Sequence, residues 1–500
     1  MDDQSARDGR AYSVESIRAA EATLMAHVPE GALMASAAAA LANACADVLW
    51  QLRGGVYGTC VLLMVGAGDN GGDALYAGAL LARRGVRVEI VLLSPDKTHA
   101  AGLAQARAEG ARVVGAVGRA DLVVDGIVGI GGRGGLRRRA WEIVSEVNRR
   151  GIPVLAVDAP SGIDLAGGPT PAEHVTATAT VTFGALKTGL VVGPGADAAG
   201  PVHVVDIGLR PHLPDHGEVE VFGQPQAVDV LSAVVPAPME HKYTRGVVGL
   251  ATGSAAYSGA GLLSVAGASC GIAGMVRYTG DDAVTDLIRS AHPEVVFGAG
   301  RVQAWVVGCG SGDGAQAALD LAVQDGVPVV VDADALACVT GPLGVPALLT
   351  PHAGELARIL GLHRDDVESD PLRHAREAAA RFEASVLLKG DRTVVAGPGG
   401  VVPLVNITGP PWLATAGSGD VLAGLAGALM ARLGGDHPAH VVGALAAWLH
   451  GSAGILASRG GPITAPDVAA ALPAAVREAL GSAPTFPSPP SASSQLGESG

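Results

Sequence analysis

The sequence predicts an α/β fold of two domains, each built on a parallel sheet. In both halves of the chain, short runs of Val, Ile and Leu bounded by glycine alternate with Ala-rich stretches of helical character. Continuous apolar strands separated by helices are typical of a parallel sheet that is covered on both faces. The 500 residues are enough for two or three domains at ~100–200 residues each.

The first half opens with two expected helices, over residues 14–27 and 32–52. Its predicted strands are the apolar runs at residues 61–65, 86–93, 122–124 and 154–157. Helices are expected between these strands, over residues 73–84, 99–109 and 136–150. Strand and helix therefore alternate as a parallel sheet requires.

A second alternation begins near residue 246. Its predicted strands are residues 247–252, 304–308, 327–332, 347–350 and 385–389. Residues 208–245 between the halves carry five prolines and suggest an irregular join, so we place the domains at 1–222 and 226–481. The Pro/Ser-rich residues 482–500 are expected to form a disordered tail.

Composition excludes several classes of partner. The net charge is −14, and the one basic cluster, around Arg137, is short, so nucleic acid is not expected to bind. The five cysteines are scattered and odd in number, which favours thiols in a reducing cytoplasm over disulfides or zinc.

The first ten residues are polar and do not suggest a secretory signal. The uncharged run 246–276 contains eight glycines and indicates a buried strand, loop and helix rather than a membrane span.

A glycine turn follows the first strand. Residues 66–73 have the sequence GAGDNGGD and lead into a helix, the arrangement that seats a dinucleotide pyrophosphate. Asp69, Asn70 and Asp73 crowd this turn with oxygen atoms. Because such oxygens suit hard cations, the turn also suggests a cation site.

Two later strands also end in polar residues. Asp125 follows one strand, and Asp158 and Ser161 follow another. Each residue alone is most simply a turn or cap residue, but the carboxyl ends of adjacent parallel strands converge on one crevice. We therefore expect Asn70 and these three residues to share a site.

These stretches resemble the NAD(P)H-hydrate epimerase family over roughly residues 10–215. The family's GNNGGD pattern corresponds to residues 68–73, with Asp69 in place of the first asparagine. Its DxxxGxG pattern corresponds to residues 125–131, with Ile130 in the usual threonine place. Its DxPSG and FxxxKxG patterns correspond to residues 158–162 and 183–189. The resemblance implies a Rossmann-like sheet.

The resemblance also implies roles for individual residues. Asn70, Asp125 and Ser161 would hold a potassium ion, and Asp158, with Lys187 as the weaker candidate, would supply the acid or base that inverts C6 of the hydrated nicotinamide. The hydrated nucleotide would contact a larger set: Asp69, Asn70, Gly71, Gly72, Asp73, Gly129, Ile130, Gly131, Gly132, Arg133, Gly134, Gly135 and Asp158.

In the second half, the run TAGSGD at residues 415–420 stands at the mouth of an apolar helix. A helix N-terminus offers unpaired N–H groups and a positive dipole end to an anion. Asp420 is then placed to take a proton from a hydroxyl that attacks a bound phosphate. A plain glycine turn is the competing interpretation of this run.

Three further runs follow predicted strands: GSAAYSGA at 253–260, TPHAGE at 350–355 and LKGDRT at 388–393. Each is unremarkable alone, and His352 alone is most simply a loop histidine. Together they predict a crevice with glycines suited to phosphate, a base and a carboxylate.

This half resembles the ribokinase-like superfamily, and within it the ADP-dependent NAD(P)H-hydrate dehydratases, over about residues 226–481. The TPHAGE run and the His241-Lys242 pair carry the closer likeness, whereas Cys309 stands where the family's GPGxG loop has proline. The resemblance implies that Glu355 organises Mg²⁺ and phosphate, and that Asp420 is the catalytic base. The adenine nucleotide would contact Lys389, Gly390, Asp391, Arg392, Thr393 and Gly419, and the hydrate would contact Ala260, Gly310, His352 and Asp420.

The combined resemblance implies a cytoplasmic enzyme that repairs hydrated NADH and NADPH. One domain would interconvert the epimers, and the other would dehydrate the S epimer while ADP becomes AMP. The implied cofactors are K⁺ in the first domain and Mg²⁺ in the second, with ADP as co-substrate. No membrane partner is expected, and a homo-oligomer stays open. The alternatives are a sugar or vitamin kinase fused to a nucleotide-sensing domain, and a first half that binds NAD-type ligands without turnover.

Overall fold

The computed structural model describes residues 9–132 and 134–481. Arg133 and the tail at residues 482–500, for both of which the sequence makes a prediction, lie outside the described residues.

Nine of the described strands and six of the described helices precede residue 210. The strands are β1 Arg10–Tyr12, β2 Cys60–Val65, β3 Arg87–Leu92, β4 Arg112–Val113, β5 Leu122–Gly126, β6 Val154–Val157, β7 Ala179–Phe183, β8 Leu186–Lys187 and β9 Val202–Val205. The helices are α1 Val14–Met25, α2 Ala32–Arg53, α3 Asp69–Arg83, α4 Ala100–Ala108, α5 Arg138–Arg149 and α6 Pro194–Ala199.

The rest of the described chain adds ten strands and ten helices. The strands are β10 Val219–Val221, β11 Val247–Ala251, β12 Met275–Tyr278, β13 Val296–Phe297, β14 Ala304–Val307, β15 Val329–Val331, β16 Ala347–Leu349, β17 Ser385–Leu388, β18 Thr393–Ala396 and β19 Leu404–Asn406. The helices are α7 Gln224–Ser232, α8 Ser258–Ala268, α9 Asp282–Ala291, α10 Ala315–Gln324, α11 Ala353–Leu360, α12 Arg364–Ser369, α13 Pro371–Phe382, α14 Ser418–Leu433, α15 Ala439–Ser458 and α16 Ala465–Gly481.

The first sheet has the order β4-β3-β2-β5-β6-β7-β9, and all its strands are parallel. One face packs on α2 and α3, and the other packs on α5. The central strands are buried along their whole length because both faces are covered. The predicted α/β class of the first half is confirmed.

The second sheet has the order β13-β12-β11-β14-β15-β16-β17-β18-β19-β10-β1-β8. Seven strands, from β13 to β17, are parallel, whereas β18 runs antiparallel to both β17 and β19. Helices α8, α14 and α15 cover one face, and α10, α11 and α13 cover the other. The α/β class of the second half is likewise confirmed.

The two halves share this second sheet. Strand β10 pairs with β19 in parallel, and β1 lies between β10 and β8. The sequence did not predict these three short strands, because two or three residues carry too little periodicity to mark a strand. The segment expected to be an irregular join in fact contains β10 and α7, and α7 packs into the core of the second half.

Two helices, α2 and α15, are long and apolar enough to cross a membrane by length and composition alone. The most apolar window of α15 is 72% buried inside the structure, as in the core helix of a folded domain. The run 246–276 forms β11, α8 and the first residues of β12, which confirms the predicted strand, loop and helix.

Candidate active sites

The first site lies where β2, β5 and β6 end. The turn after β2 has little free space, because a Cβ on Gly66 would lie 1.9 Å from the Ile127 carbonyl oxygen. Helix α3 begins at Asp69, four residues earlier than the sequence suggested, after Gly68 adopts a φ of +95°. Asn70, Gly71 and Gly72 consequently lie in the first helical turn. The Gly72 N–H donates to the Gly68 carbonyl (3.1 Å), so the N–H groups that precede it are the ones placed to meet an anion.

Two of the three residues predicted to hold a cation, Asp125 and Ser161, are in direct contact. Ser161 donates from its backbone N to Asp125 Oδ2 (2.8 Å) and from its hydroxyl to Oδ1 (2.7 Å). Asp125 is fully buried and forms no ion pair within the described part of the chain, and burial raises its pKa to about 6. The Asn70 amide nitrogen is also buried, with no hydrogen-bond partner among the described residues. A Cβ on Gly129 would lie 2.8 Å from Asn70 Oδ1, so the Asn70 side chain packs against the loop that contains Gly129.

Asp158 and Lys187 form a buried ion pair. Lys187 Nζ donates to Asp158 Oδ1 (2.5 Å), to Thr182 Oγ1 (2.6 Å) and to the Phe183 carbonyl (3.1 Å). The other Asp158 oxygen accepts from the backbone N of Ile130 (3.2 Å). Asp158 has a φ of +67°, an uncommon conformation for a residue other than glycine. The lysine thus donates one proton to the carboxylate, and the other two hold the ammonium group in place against Thr182 and Phe183.

The loop predicted to cover the substrate connects to this pair through Ile130. Arg18 of α1 donates to the Ile130 carbonyl (3.1 Å), so a helix at the start of the chain holds the loop. Gly131, Gly132, Gly134 and Gly135 follow in this loop, on either side of Arg133.

Three further carboxylates, those of Glu21, Asp69 and Asp73, lie near Asp158 and interact with one another electrostatically. Burial, reinforced by Asp158, Asp69 and Glu21, raises the pKa of Asp73 to about 8. Burial also raises the pKa of Glu21, which Lys187 partly offsets. The sequence analysis missed Glu21, although its place between Ile17 and Leu24 on the buried face of α1 was a usable signal.

The second site lies at the carboxyl ends of β14, β15 and β17, under the N-terminus of α14. Asp332 follows β15 and is its centre, because Lys389 Nζ (2.7 Å) and Thr350 Oγ1 (2.8 Å) both donate to its Oδ1. The Cys309 thiol lies 3.5 Å from its other oxygen. The sequence analysis placed Asp332 at a strand end but assigned it no role.

Asp420 joins this cluster from the first turn of α14. Ligand atoms of Asp420, Asp332 and Cys309 lie within 4.8 Å of one another. Burial, together with the nearby charge of Asp332, raises the pKa of Asp420 to about 6. Helix α14 begins directly after Gly417, whose φ is +85°. The hydroxyl oxygen of Ser418, the first residue of the helix, lies 3.4 Å from Nε2 of the buried His450.

The TPHAGE run forms the N-terminus of α11 and closes one side of the crevice. The His352 backbone N donates to the Glu355 carboxylate (2.8 Å), and the Glu355 N donates to His352 Nδ1 (3.2 Å). Lys389 Nζ lies 3.8 Å from Glu355. The lysine therefore bridges the two carboxylates that could meet a metal-bound phosphate.

The predicted hydrate contacts Ala260 and Gly310 lie together. A Cβ on Gly310 would lie 2.7 Å from the Ala260 methyl carbon, and Gly310 has a φ of +58°. A cavity of about 680 Å³ opens beside them, between residues 253–257 and residues 311–314.

The predicted nucleotide residues divide into two groups. Lys389 and Gly419 lie beside Asp420, since a Cβ on Gly419 would be 3.4 Å from Lys389 Nζ. Gly390 and Asp391 are exposed in the hairpin between β17 and β18. Arg392 instead turns its guanidinium toward the first half, where Nη2 donates to the Ala196 carbonyl (3.1 Å). Thr393 begins β18.

Each half thus presents buried carboxylates beside a glycine-rich helix N-terminus, which defines an α/β enzyme with two sites. Residues 30–189 match the family described as YjeF-related protein N-terminus, and residues 240–473 match the family described as NAD(P)H-hydrate dehydratase. The chain belongs to the family of bifunctional NAD(P)H-hydrate repair enzymes.

Two relatives that show this membership, both from Mycobacterium, align along most of the chain. The bifunctional NAD(P)H-hydrate repair enzyme Nnr of Mycobacterium tuberculosis is 47% identical over 84% of this chain and 89% of its own length. The enzyme of the same name from Mycobacterium leprae is 45% identical over 94% and 98%. The solved ADP/ATP-dependent NAD(P)H-hydrate dehydratase of Bacillus subtilis is 28% identical and covers 52% of this chain and 99% of its own, with a TM-score of 0.49.

Proposed function

We propose that the chain repairs hydrated NADH and NADPH at two sites, epimerising the hydrate in the first half and dehydrating the S epimer with ADP in the second. The observation that carries the proposal is the pair of strand-end carboxylate sites, one per half, in a member of this family. Five free cysteines, four of them buried, are consistent with a reducing cytoplasm as the place of action.

In the first half, Asn70, Asp125 and Ser161 would hold a potassium ion. The residues fit this ion because Asp125 is a fully buried carboxylate with no basic partner among the described residues, and because Ser161 Oγ and Asn70 Oδ1 supply further oxygen atoms at these strand ends. Carboxylate, amide and hydroxyl oxygens are ligands for hard cations. A bound K⁺ would supply positive charge where the carboxylates otherwise repel the substrate pyrophosphate.

Asp158 would act as the acid and base at C6. Its carboxylate is fixed by Lys187 through Oδ1 and by the Ile130 N–H through Oδ2. The proton passed to the departing C6 hydroxyl and the proton taken from the returning water would both move through this carboxyl group. Lys187 would position Asp158, because its three protons already have acceptors.

In the second half, Asp420 would take the proton of the C6 hydroxyl as its oxygen attacks the β-phosphorus of ADP. The bond between that phosphorus and AMP breaks, and N–H groups at the start of α14 would stabilise the charge on the phosphoryl oxygens. The C6–O bond then breaks with phosphate as the leaving group, and loss of the C5 proton restores the dihydronicotinamide.

The adenine nucleotide would be bound by Lys389, Gly390, Asp391, Arg392, Thr393 and Gly419. The hydrate would be bound by Ala260, Gly310 and His352. Asp332 and Glu355 would hold Mg²⁺, because carboxylate oxygens are its preferred ligands and Lys389 spans the two side chains, which shows that they lie close together. A bound Mg²⁺ would neutralise phosphate charge during the transfer.

The test mixes the purified chain with both epimers of NADH hydrate and ADP, and follows NADH absorbance and AMP. We expect full recovery of NADH with one AMP released per NADH. Recovery that stops at one epimer would overturn the proposed role of the first half. Strong preference for ATP, with ADP inert, would overturn the nucleotide assignment. Phosphorylation of common sugars without NADH recovery would favour the kinase alternative.

A further inference from the structure

The nucleotide hairpin between β17 and β18 touches the first half of the chain through one side chain. Arg392 Nη2 donates to the Ala196 carbonyl (3.1 Å), and its Nε lies 3.7 Å from Asp197 Oδ1. The side chain of Arg392 is only 21% exposed, and its Nε has no hydrogen-bond partner in the described part of the chain. The first half is therefore the immediate environment of this guanidinium.

Helix α6 carries Ala196 and Asp197, and close packing against neighbouring backbone holds this helix in place. Gly193 enters the helix with a φ of +77°, and a Cβ there would lie 2.3 Å from the Gly167 carbonyl oxygen. A Cβ on Gly195 would lie 2.9 Å from the Gly189 carbonyl oxygen. Such close backbone approach leaves α6 little room to move independently of the loop after Asp158.

The hairpin itself is short, so the position of Arg392 constrains the rest of it. Lys389 and Thr393 flank three residues, and Thr393 Oγ1 closes the turn with a hydrogen bond to the Gly390 carbonyl (3.3 Å). Lys389 in turn donates to Asp332 in the second site.

We propose that Asp197 of the first half is a positioning residue for the nucleotide site of the second half, holding Arg392 and its hairpin in the form that binds the diphosphate of ADP. This inference rests on the proposed function, which assigns the nucleotide to the hairpin. It makes the fused first half part of the co-substrate site, although Asp197 itself touches no substrate.

The test measures KM for ADP, kcat and the Kd for ADP by calorimetry on the full chain with Asp197→Asn. The ion pair is partly exposed, and such pairs contribute ~0.2–1 kcal/mol. We therefore expect KM and Kd for ADP to rise about 1.4- to 5-fold, with kcat and KM for the hydrate unchanged. Asp197→Glu, which keeps the carboxylate, should restore most of the affinity.

The sign of the effect separates positioning from simple electrostatics. Removing a negative charge near an anionic ligand by itself tightens binding, so a purely electrostatic role predicts a lower KM for ADP in Asp197→Asn. Glu218→Gln is the matched control, since Glu218 pairs across the same two halves with Arg376 (3.5 Å) away from the hairpin. It should leave KM for ADP unchanged.

A KM for ADP that is unchanged or lower in Asp197→Asn would overturn the inference, as would an equal rise in Glu218→Gln. Unchanged melting temperatures would show that both variants fold. If the unaltered chain binds ADP but does not recover NADH, the proposed function fails while the calorimetric comparison still decides the inference. If the unaltered chain does not bind ADP, both fail.

Discussion

At the scale of single residues, two carboxylates, the buried Asp125 and the half-buried Asp420, separate the chemistry of the two halves. Asp420 lies in the second site and Asp125 in the first, and no described hydrogen bond or ion pair joins them. We expect Asp420→Asn to abolish dehydration and leave epimerisation intact, because an amide keeps the shape of the helix mouth but cannot accept the hydroxyl proton. Loss of a general base costs about 100- to 10,000-fold in rate. The measurement is NADH recovery beside a separate assay of epimer exchange.

Asp125→Ala is the reciprocal variant. It should impair only the first half, so one epimer is consumed quickly while the other waits for slow spontaneous inversion. We expect a biphasic recovery for Asp125→Ala and a flat trace for Asp420→Asn. Near-normal repair by Asp420→Asn would show that the α14 turn is structural and that the catalytic assignment is wrong.

The environment of Asp420 also predicts a pH dependence. Burial and Asp332 raise its pKa to about 6, so the carboxylate that accepts a proton forms only as pH rises through that value. We expect kcat for dehydration to fall below about pH 6 and to level off above it. A midpoint near 4 in the unaltered chain would contradict this environment.

At the scale of elements, the position of α14 depends on its contact with α8. A Cβ on Gly424 would lie 1.9 Å from the Ser264 carbonyl oxygen, so only glycine allows the two helices to approach this closely. We expect Gly424→Ala to lower the free energy of unfolding by about 1–3 kcal/mol, the usual cost of overpacking. Thermal unfolding of the full chain measures it.

Gly259→Ala in α8 is the control for that substitution. A Cβ on Gly259 meets no atom within 4 Å, and alanine in a helix is more stable than glycine by roughly 0.5–1 kcal/mol. This variant should therefore melt at the same temperature or higher. A Gly424→Ala chain as stable as the unaltered one would show that α8 and α14 can separate without cost.

At the scale of the whole molecule, the domain limits 1–222 and 226–481 stay a prediction. Each half has a core of its own, and only the short strands β10, β1 and β8 of the first half join the sheet of the second, so each fragment should fold. Separation exposes the edges of β10 and β19, which pair in the intact chain. We expect the co-expressed fragments to associate, and size-exclusion chromatography measures this. Insolubility of both fragments beside a soluble full chain would contradict the limits.

Much of the fold was predictable because its signals are local. The strands β2, β6 and β17 coincide with apolar runs, and the helices α1 and α2 begin at the predicted residues. The start of α3 was predicted four residues late, because glycines in a first turn resemble a loop in sequence although tertiary contacts stabilise them as helix.

The sequence by itself determined the α/β class and the family, and it predicted most residues of both candidate sites, because apolar runs, glycine turns and strand-end carboxylates can be recognised within short stretches of chain. The tertiary structure decided what depends on residues far apart in sequence. It centred the second site on Asp332, placed Glu21 beside Asp158, and joined the halves through β10 and β19. It also turned Arg392 toward Asp197, 195 positions away by numbering. Such contacts are fixed by strand order and packing, for which no single stretch of sequence carries a signal.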